Sequence, residues 1–225
     1  ADLRHLREHL GVDRWLVVGG SWGAALAVAH AADLPGAVSG LVLRSAFLAR
    51  HEDIDGFFQG VRSPSPAAWA QFARVAPVAE RGDMLGFLSR QLDGDDGAAA
   101  AAAATAWWRW EQAMAGTGGG AEPTGAGLAA LVARYRVQAH YLRRRCWLDA
   151  PTLLQRCAAV PAVPTHLLHG SVDRVCPPAG AQALHAALPH SRLEWVAGAG
   201  HDPAHPGMRH AMVSTLDQLA AALRP

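Results

Sequence analysis

The sequence predicts an α/β fold in which a parallel sheet is interrupted by a helical insertion. Two apolar runs, Trp15-Leu16-Val17-Val18 and Gly40-Leu41-Val42-Leu43, flank a stretch of small residues at 24–32, which reads as strand, helix, strand. That rhythm is lost between residues 49 and 148. It returns with a strand at 165–169, a helix at 179–188 and a strand at 193–196.

The elements follow in order. Leu3, Leu6 and Leu10 lie on one helical face behind Asp2 as a cap, and Gly11 ends the pattern. Residues 15–18 read as a fully buried strand, of the kind found where both faces of a sheet are covered. The helix at 24–32 ends at Asp33-Leu34-Pro35-Gly36. In the insertion, Ser65-Pro66 reads as a helix start, with Trp69, Phe72 and Ala76 on one face. Residues 93–97 form a polar turn, and an alanine run then leads into Trp107-Trp108-Arg109-Trp110-Glu111. Residues 117–127 hold five glycines and a proline, a loop signature, and a helix is expected at 128–142. Residues 210–223 form a closing helix. The expected organisation is a core at 1–48, a helical cap at 49–148 and a returning core at 149–225.

Composition narrows the function. With 51% hydrophobic and 17% charged residues in 225, the chain can bury a core. A net charge of +1 gives no surface suited to nucleic acid. Three cysteines, Cys146, Cys157 and Cys176, without CxxC spacing argue against a disulfide scaffold or a four-cysteine zinc site and favour a cytoplasmic location. Residues 15–32 lack Asp, Glu, Lys and Arg, but glycines in their middle fit a strand and helix better than a membrane span. No signal-peptide layout is visible at the N-terminus.

Gly19-Gly20-Ser21-Trp22-Gly23 fits G-x-S-x-G between a strand and a helix. That context lifts a serine hydroxyl out of a strained turn, while the flanking glycines let strand and helix approach. The helix start offers backbone N–H groups to a developing oxyanion, with Trp22 as the donor. The bland reading is a glycine-rich turn with a bystander serine. A serine nucleophile needs a histidine base and an acid to orient it, in the chain order Ser, acid, His. Asp173 and His201 supply them, 28 residues apart and each just past the end of an expected strand. Singly, each would read as a surface acid or a loop histidine. His201 and His205 have metal-like spacing, but Pro203 and Pro206 interrupt a helical ligand face, so no metal and no cofactor are expected. Cys176, near Asp173, reads as a packing residue.

These features resemble the proline iminopeptidases, serine peptidases of the α/β-hydrolase fold. The resemblance is carried by Leu6-Arg7-Glu8-His9-Leu10-Gly11, Gly19-Gly20-Ser21-Trp22-Gly23 and Leu41-Val42-Leu43-Arg44. It extends through Trp107-Trp108-Arg109-Trp110-Glu111, His140-Tyr141, Val175-Cys176-Pro177-Pro178 and Gly198-Ala199-Gly200-His201. It implies release of N-terminal proline from peptides without a cofactor, with Ser21 as nucleophile, His201 as acid–base and Asp173 as its partner. It also implies that Glu111 holds the substrate's N-terminal ammonium. A second family carboxylate precedes His-Tyr by two positions; Gln138 stands there, so weaker amine selectivity is expected.

The family begins further upstream, with strands and an H-G-G-P-G loop that supplies a second oxyanion donor, and no such motif occurs in this sequence. The expectation is an α/β-hydrolase fold lacking its N-terminal strands, with impaired turnover. The alternatives are a general esterase or amidase with the same three residues, and a non-catalytic C-terminal fragment.

Overall fold

The structure is a computed structural model and describes residues 2–59, 65–117 and 120–222. Gly118 and Gly119 of the expected glycine-rich loop, and Leu223 at the end of the expected closing helix, lie outside the described residues. The chain runs through α1 (Asp2–His9), β1 (Trp15–Gly20), α2 (Trp22–Asp33), β2 (Val38–Arg44) and α3 (His51–Gln59). Next come α4 (Pro66–Ala73), α5 (Met84–Asp93), α6 (Gly97–Ala115), α7 (Gly125–Leu142) and α8 (Leu153–Arg156). The last elements are β3 (Thr165–Gly170), α9 (Pro178–Ala187), β4 (Ser191–Val196) and α10 (Pro206–Ala222). Residues Ala1–Leu48 and Pro151–Pro225 form one compact unit and Ala49–Ala150 another.

In the first unit the strands form a parallel sheet in the order β1-β2-β3-β4. Leu43 of β2 pairs with Leu167 of β3, and Gly170 of β3 with Val196 of β4. The sheet is therefore in register at the C-terminal ends of its strands, where open α/β sheets build sites. One face packs Val42, Leu168 and Val196 against Met208, Ala211 and Leu219 of α10. Alternation along β2 sends Leu41 and Leu43 to the opposite face, where α2 and α9 cover the sheet.

Two expectations for this unit need correction. Strand β1 is not fully buried. It pairs with β2 alone among the described residues and Val18 is 47% exposed, because an edge strand has one neighbour rather than two. Helix α1 has no fully buried residue: Leu3 is half-buried, while Leu6 and, just past the helix end, Leu10 are exposed. Asp2 lies inside that helix's first turn rather than before it.

The second unit has an aromatic core. The Phe58 ring meets Trp107 edge-on at 5.0 Å, Phe72 stacks on Trp110 at 5.4 Å, and Trp107 stacks on Tyr135 at 4.5 Å. Met84, Leu88 and Leu92 of α5 are buried with them. Such ring pairs add about 0.5–1.5 kcal/mol each beyond the area they bury. Asp96 caps α6 by accepting from the N–H groups of Ala98 and Ala99, and Gly116 ends it in the left-handed region at φ 72°. Ala76 falls beyond the end of α4 but is buried beside it in sequence, as are Phe72 and Ala73. Among the described residues no helix is long and apolar enough to cross a membrane.

Candidate active site

Ser21 stands between β1 and α2 at φ 55°, a left-handed conformation that costs a non-glycine residue about 1–3 kcal/mol. The turn is held by the Ser21 N–H donating to the Arg44 carbonyl at 2.8 Å and by the Ala24 N–H donating to the Ser21 carbonyl at 3.0 Å. A Cβ on Gly19 would collide with the Gly23 carbonyl, so strand and helix do touch there. Gly23 differs from expectation: a Cβ on it would meet nothing within 4 Å. The close approach depends on one glycine of the pair, not both.

Asp173 and His201 arrive from the next two strand ends. The loops after β3 and β4 are tied together, with the Val172 N–H donating to the Ala199 carbonyl at 3.1 Å and the Gly198 N–H to Ser171 Oγ at 2.9 Å. Gly170 permits this, since a Cβ there would run into the Ala199 and Gly200 carbonyls. The three side chains meet. Ser21 Oγ lies 3.0 Å from His201 Nε2, and His201 Nδ1 lies 2.9 Å from Asp173 Oδ2. With Nδ1–H donating to the carboxylate, Nε2 is left to accept the serine proton.

The carboxylate is prepared for that role. Asp173 Oδ1 accepts from the N–H groups of Val175 at 3.0 Å and Cys176 at 2.9 Å, and the side chain is excluded from water. Burial alone would raise its pKa. The hydrogen bond and charge interaction with His201, helped by the Cys176 N–H, outweigh burial and hold it below the ordinary carboxylate range. Trp22 opens α2, which puts its backbone N–H at the helix start beside Ser21.

Three further residues, to which the sequence assigns no catalytic role, adjoin these side chains. Arg44 Nη1 donates to the His201 carbonyl at 2.9 Å and to Ser45 Oγ at 3.0 Å, fixing the backbone that bears the imidazole. His169, fully buried on β3, donates from Nε2 to the Cys176 carbonyl at 2.9 Å and lies 3.9 Å from Asp173 Oδ2. Cys176 Sγ lies 4.0 Å from Ser21 Oγ, so this residue borders Ser21 as well as packing. Arginine or histidine at a strand end reads as a solvent-facing residue, and only the fold turns these inward. Among the described residues no group of three His, Cys, Asp or Glu side chains is placed to hold a metal ion.

Glu111 and Gln138, in the second unit, lie side by side. Gln138 Nε2 donates to Glu111 Oε1 at 3.3 Å, and the Tyr135 hydroxyl donates to Glu111 Oε2 at 2.6 Å. Arg134 Nη2 reaches the same Oε2 at 3.2 Å. Burial and the adjacent carboxylate push the Tyr135 phenol well above its ordinary pKa, so it remains a donor.

Comparisons with known proteins bear on the family and the fold. Residues 1–207 match the family model of the alpha/beta hydrolase fold. A probable proline iminopeptidase of Leptolyngbya boryana is 35% identical over 225 residues, covering 98% of this chain and 70% of that protein. The proline iminopeptidase of Xanthomonas citri is 37% identical, with 98% and 72% covered. That of Arabidopsis thaliana is 34% identical, with 99% and 60% covered. Among solved structures, an α/β hydrolase from a Medee basin deep-sea metagenome library superposes with a TM-score of 0.56 at 16% identity, covering 99% of this chain and 70% of that one. An esterase from Rhodococcus sp. ECU1013 gives 0.55 at 21%, with 99% and 71% covered. These two likenesses bear on the fold alone. The chain is a hydrolase that belongs to the proline iminopeptidase family of the α/β-hydrolase fold.

Proposed function

We propose that this chain is a serine aminopeptidase that releases N-terminal proline from peptides through an acyl-enzyme. The observation that carries the reading is the unbroken relay from Ser21 Oγ to His201 Nε2 at 3.0 Å and from His201 Nδ1 to Asp173 Oδ2 at 2.9 Å. It is supported by the names of relatives at 34–37% identity.

In this mechanism Ser21 Oγ attacks the prolyl carbonyl while its proton passes to His201 Nε2. Asp173 stabilises the imidazolium so formed. The Trp22 N–H donates to the tetrahedral oxyanion. His201 then protonates the leaving amine, and water attacks the acyl-enzyme by the same route reversed. Glu111 takes the substrate's α-ammonium, and Gln138 sits beside it as a neutral donor.

Trp22 is the oxyanion donor this reading assigns among the described residues, and a donor of that kind is worth about 100- to 1,000-fold in rate. A general esterase or amidase is the second reading. It is favoured by Arg134 and Gln138, which leave the Glu111 locality without net negative charge.

The test pairs covalent labelling with substrate discrimination. A fluorophosphonate should label the purified chain at Ser21 and fail to label Ser21→Ala. A proline arylamide should be cleaved in preference to its N-acetyl analogue. Equal cleavage of the two would favour the esterase reading, and absence of labelling would remove the serine mechanism.

A further inference from the structure

Glu111 belongs to a group of side chains in which the peptidase reading leaves Arg134 and Tyr135 without a role. Arg134 Nη2 donates both to Glu111 Oε2 at 3.2 Å and to the Tyr135 hydroxyl at 3.0 Å. Its guanidinium carbon stands 4.7 Å over the Tyr135 ring. Tyr135 is fully buried and stacked on Trp107, so the platform under the guanidinium is rigid. The same phenol donates to Glu111 Oε2. Carboxylate, phenol and guanidinium therefore form a triangle, with the arginine side chain 58% exposed and the glutamate 22% exposed.

Charge decides what this triangle does. Glu111 contributes one negative charge and Arg134 one positive, while Tyr135 and Gln138 are neutral, so the group has no net charge. An ammonium approaching Glu111 Oε1, which among the described residues accepts one long bond, from Gln138, meets a half-satisfied carboxylate and a nearby cation. We propose that Arg134 is a specificity-determining counter-charge that lowers the site's affinity for a free N-terminal amine, so that this chain tolerates N-blocked substrates better than a site with Glu111 unopposed. The proposal rests on Glu111 as the ammonium anchor.

The pair is solvent-exposed on the arginine side, which limits its strength to that of surface ion pairs. Replacing Arg134 by glutamine should therefore tighten binding of L-prolinamide by about two- to fivefold. Binding of N-acetyl-prolinamide, which has no ammonium, should stay the same. Both ligands are titrated calorimetrically into the 225-residue chain at low salt, with circular dichroism checking the fold. Arg134→Lys keeps the charge and should leave L-prolinamide binding near that of the parent. Glu111→Gln in the Arg134→Gln background should abolish the gain.

Outcomes separate the two claims. If Glu111→Gln weakens L-prolinamide binding but Arg134→Gln leaves it unchanged or weaker, the counter-charge is overturned and the anchor stands. If Glu111→Gln has no effect, or neither ligand binds any variant, the anchor fails and the counter-charge with it. Equal tightening for both ligands would show that Arg134 acts by bulk rather than charge, which also overturns the proposal.

Discussion

Asp173 shows most directly how single residues set the chemistry. One oxygen is fixed by two backbone N–H groups and the other receives His201 Nδ1–H, so the imidazole has one tautomer and one orientation. Asp173→Asn keeps the shape but presents an amide N–H to that nitrogen, which forces the opposite tautomer and removes the base. The rate of fluorophosphonate labelling at pH 7 should fall by on the order of 10³–10⁴-fold. A loss smaller than about tenfold would mean that the orienting bond is dispensable. Ser21, Asp173 and His201 were legible in the sequence because each sits just past an expected strand, which locates it in space as well as in order. Arg44 and His169 were not. Their roles depend on which carbonyl lies within 3 Å, and no spacing encodes that.

Legibility at the scale of elements follows the length and environment of each segment. Strand β2 was readable from the continuous apolar run Leu41-Val42-Leu43, and β3 from the Leu167-Leu168 pair within Thr165–His169, both buried in the sheet. The same signal misled for β1, since an apolar run records what a strand can bury and not how many neighbours it has. Helices α3, α5 and α8 were not read at all. Residues 153–156 are too few for a periodic signal, and α3 and α5 carry acids, arginine and glycine between their buried positions. The β1 edge has a physical consequence. An apolar strand with unpaired backbone groups on one side recruits another strand, and Val18 is exposed on it. Val18→Lys places a charge there and should reduce concentration-dependent self-association measured by light scattering, with the circular dichroism spectrum unchanged. Identical scattering curves for the two proteins would show that the edge does not drive association.

Across the molecule, acid stability is set by two groups of buried ionisable side chains with separate pH windows. Burial lowers the pKa of His30, His166 and His169 below the ordinary 6.5, with Asp33, Glu194 and Asp173 respectively opposing it. A histidine kept neutral by folding is protonated more readily in the unfolded chain, so stability falls as pH drops below 6.5 and keeps falling until the folded pKa is passed. Asp173 acts lower down. Its folded pKa lies below the ordinary 3.8, so the stabilisation it gives is complete above that value and is lost as pH falls through the folded one. Two descents are therefore expected in a plot of Tm against pH, one beginning near 6.5 and one below 3.8. His169→Gln separates them, because the amide can still donate to the Cys176 carbonyl but cannot take up a proton. Its Tm should fall less steeply than the parent's on acidification from about pH 6.5 to 5. Parallel curves through the upper window would mean that His169 is protonated as easily in the folded chain as in the unfolded one, which its burial, only partly offset by the Asp173 carboxylate, should prevent.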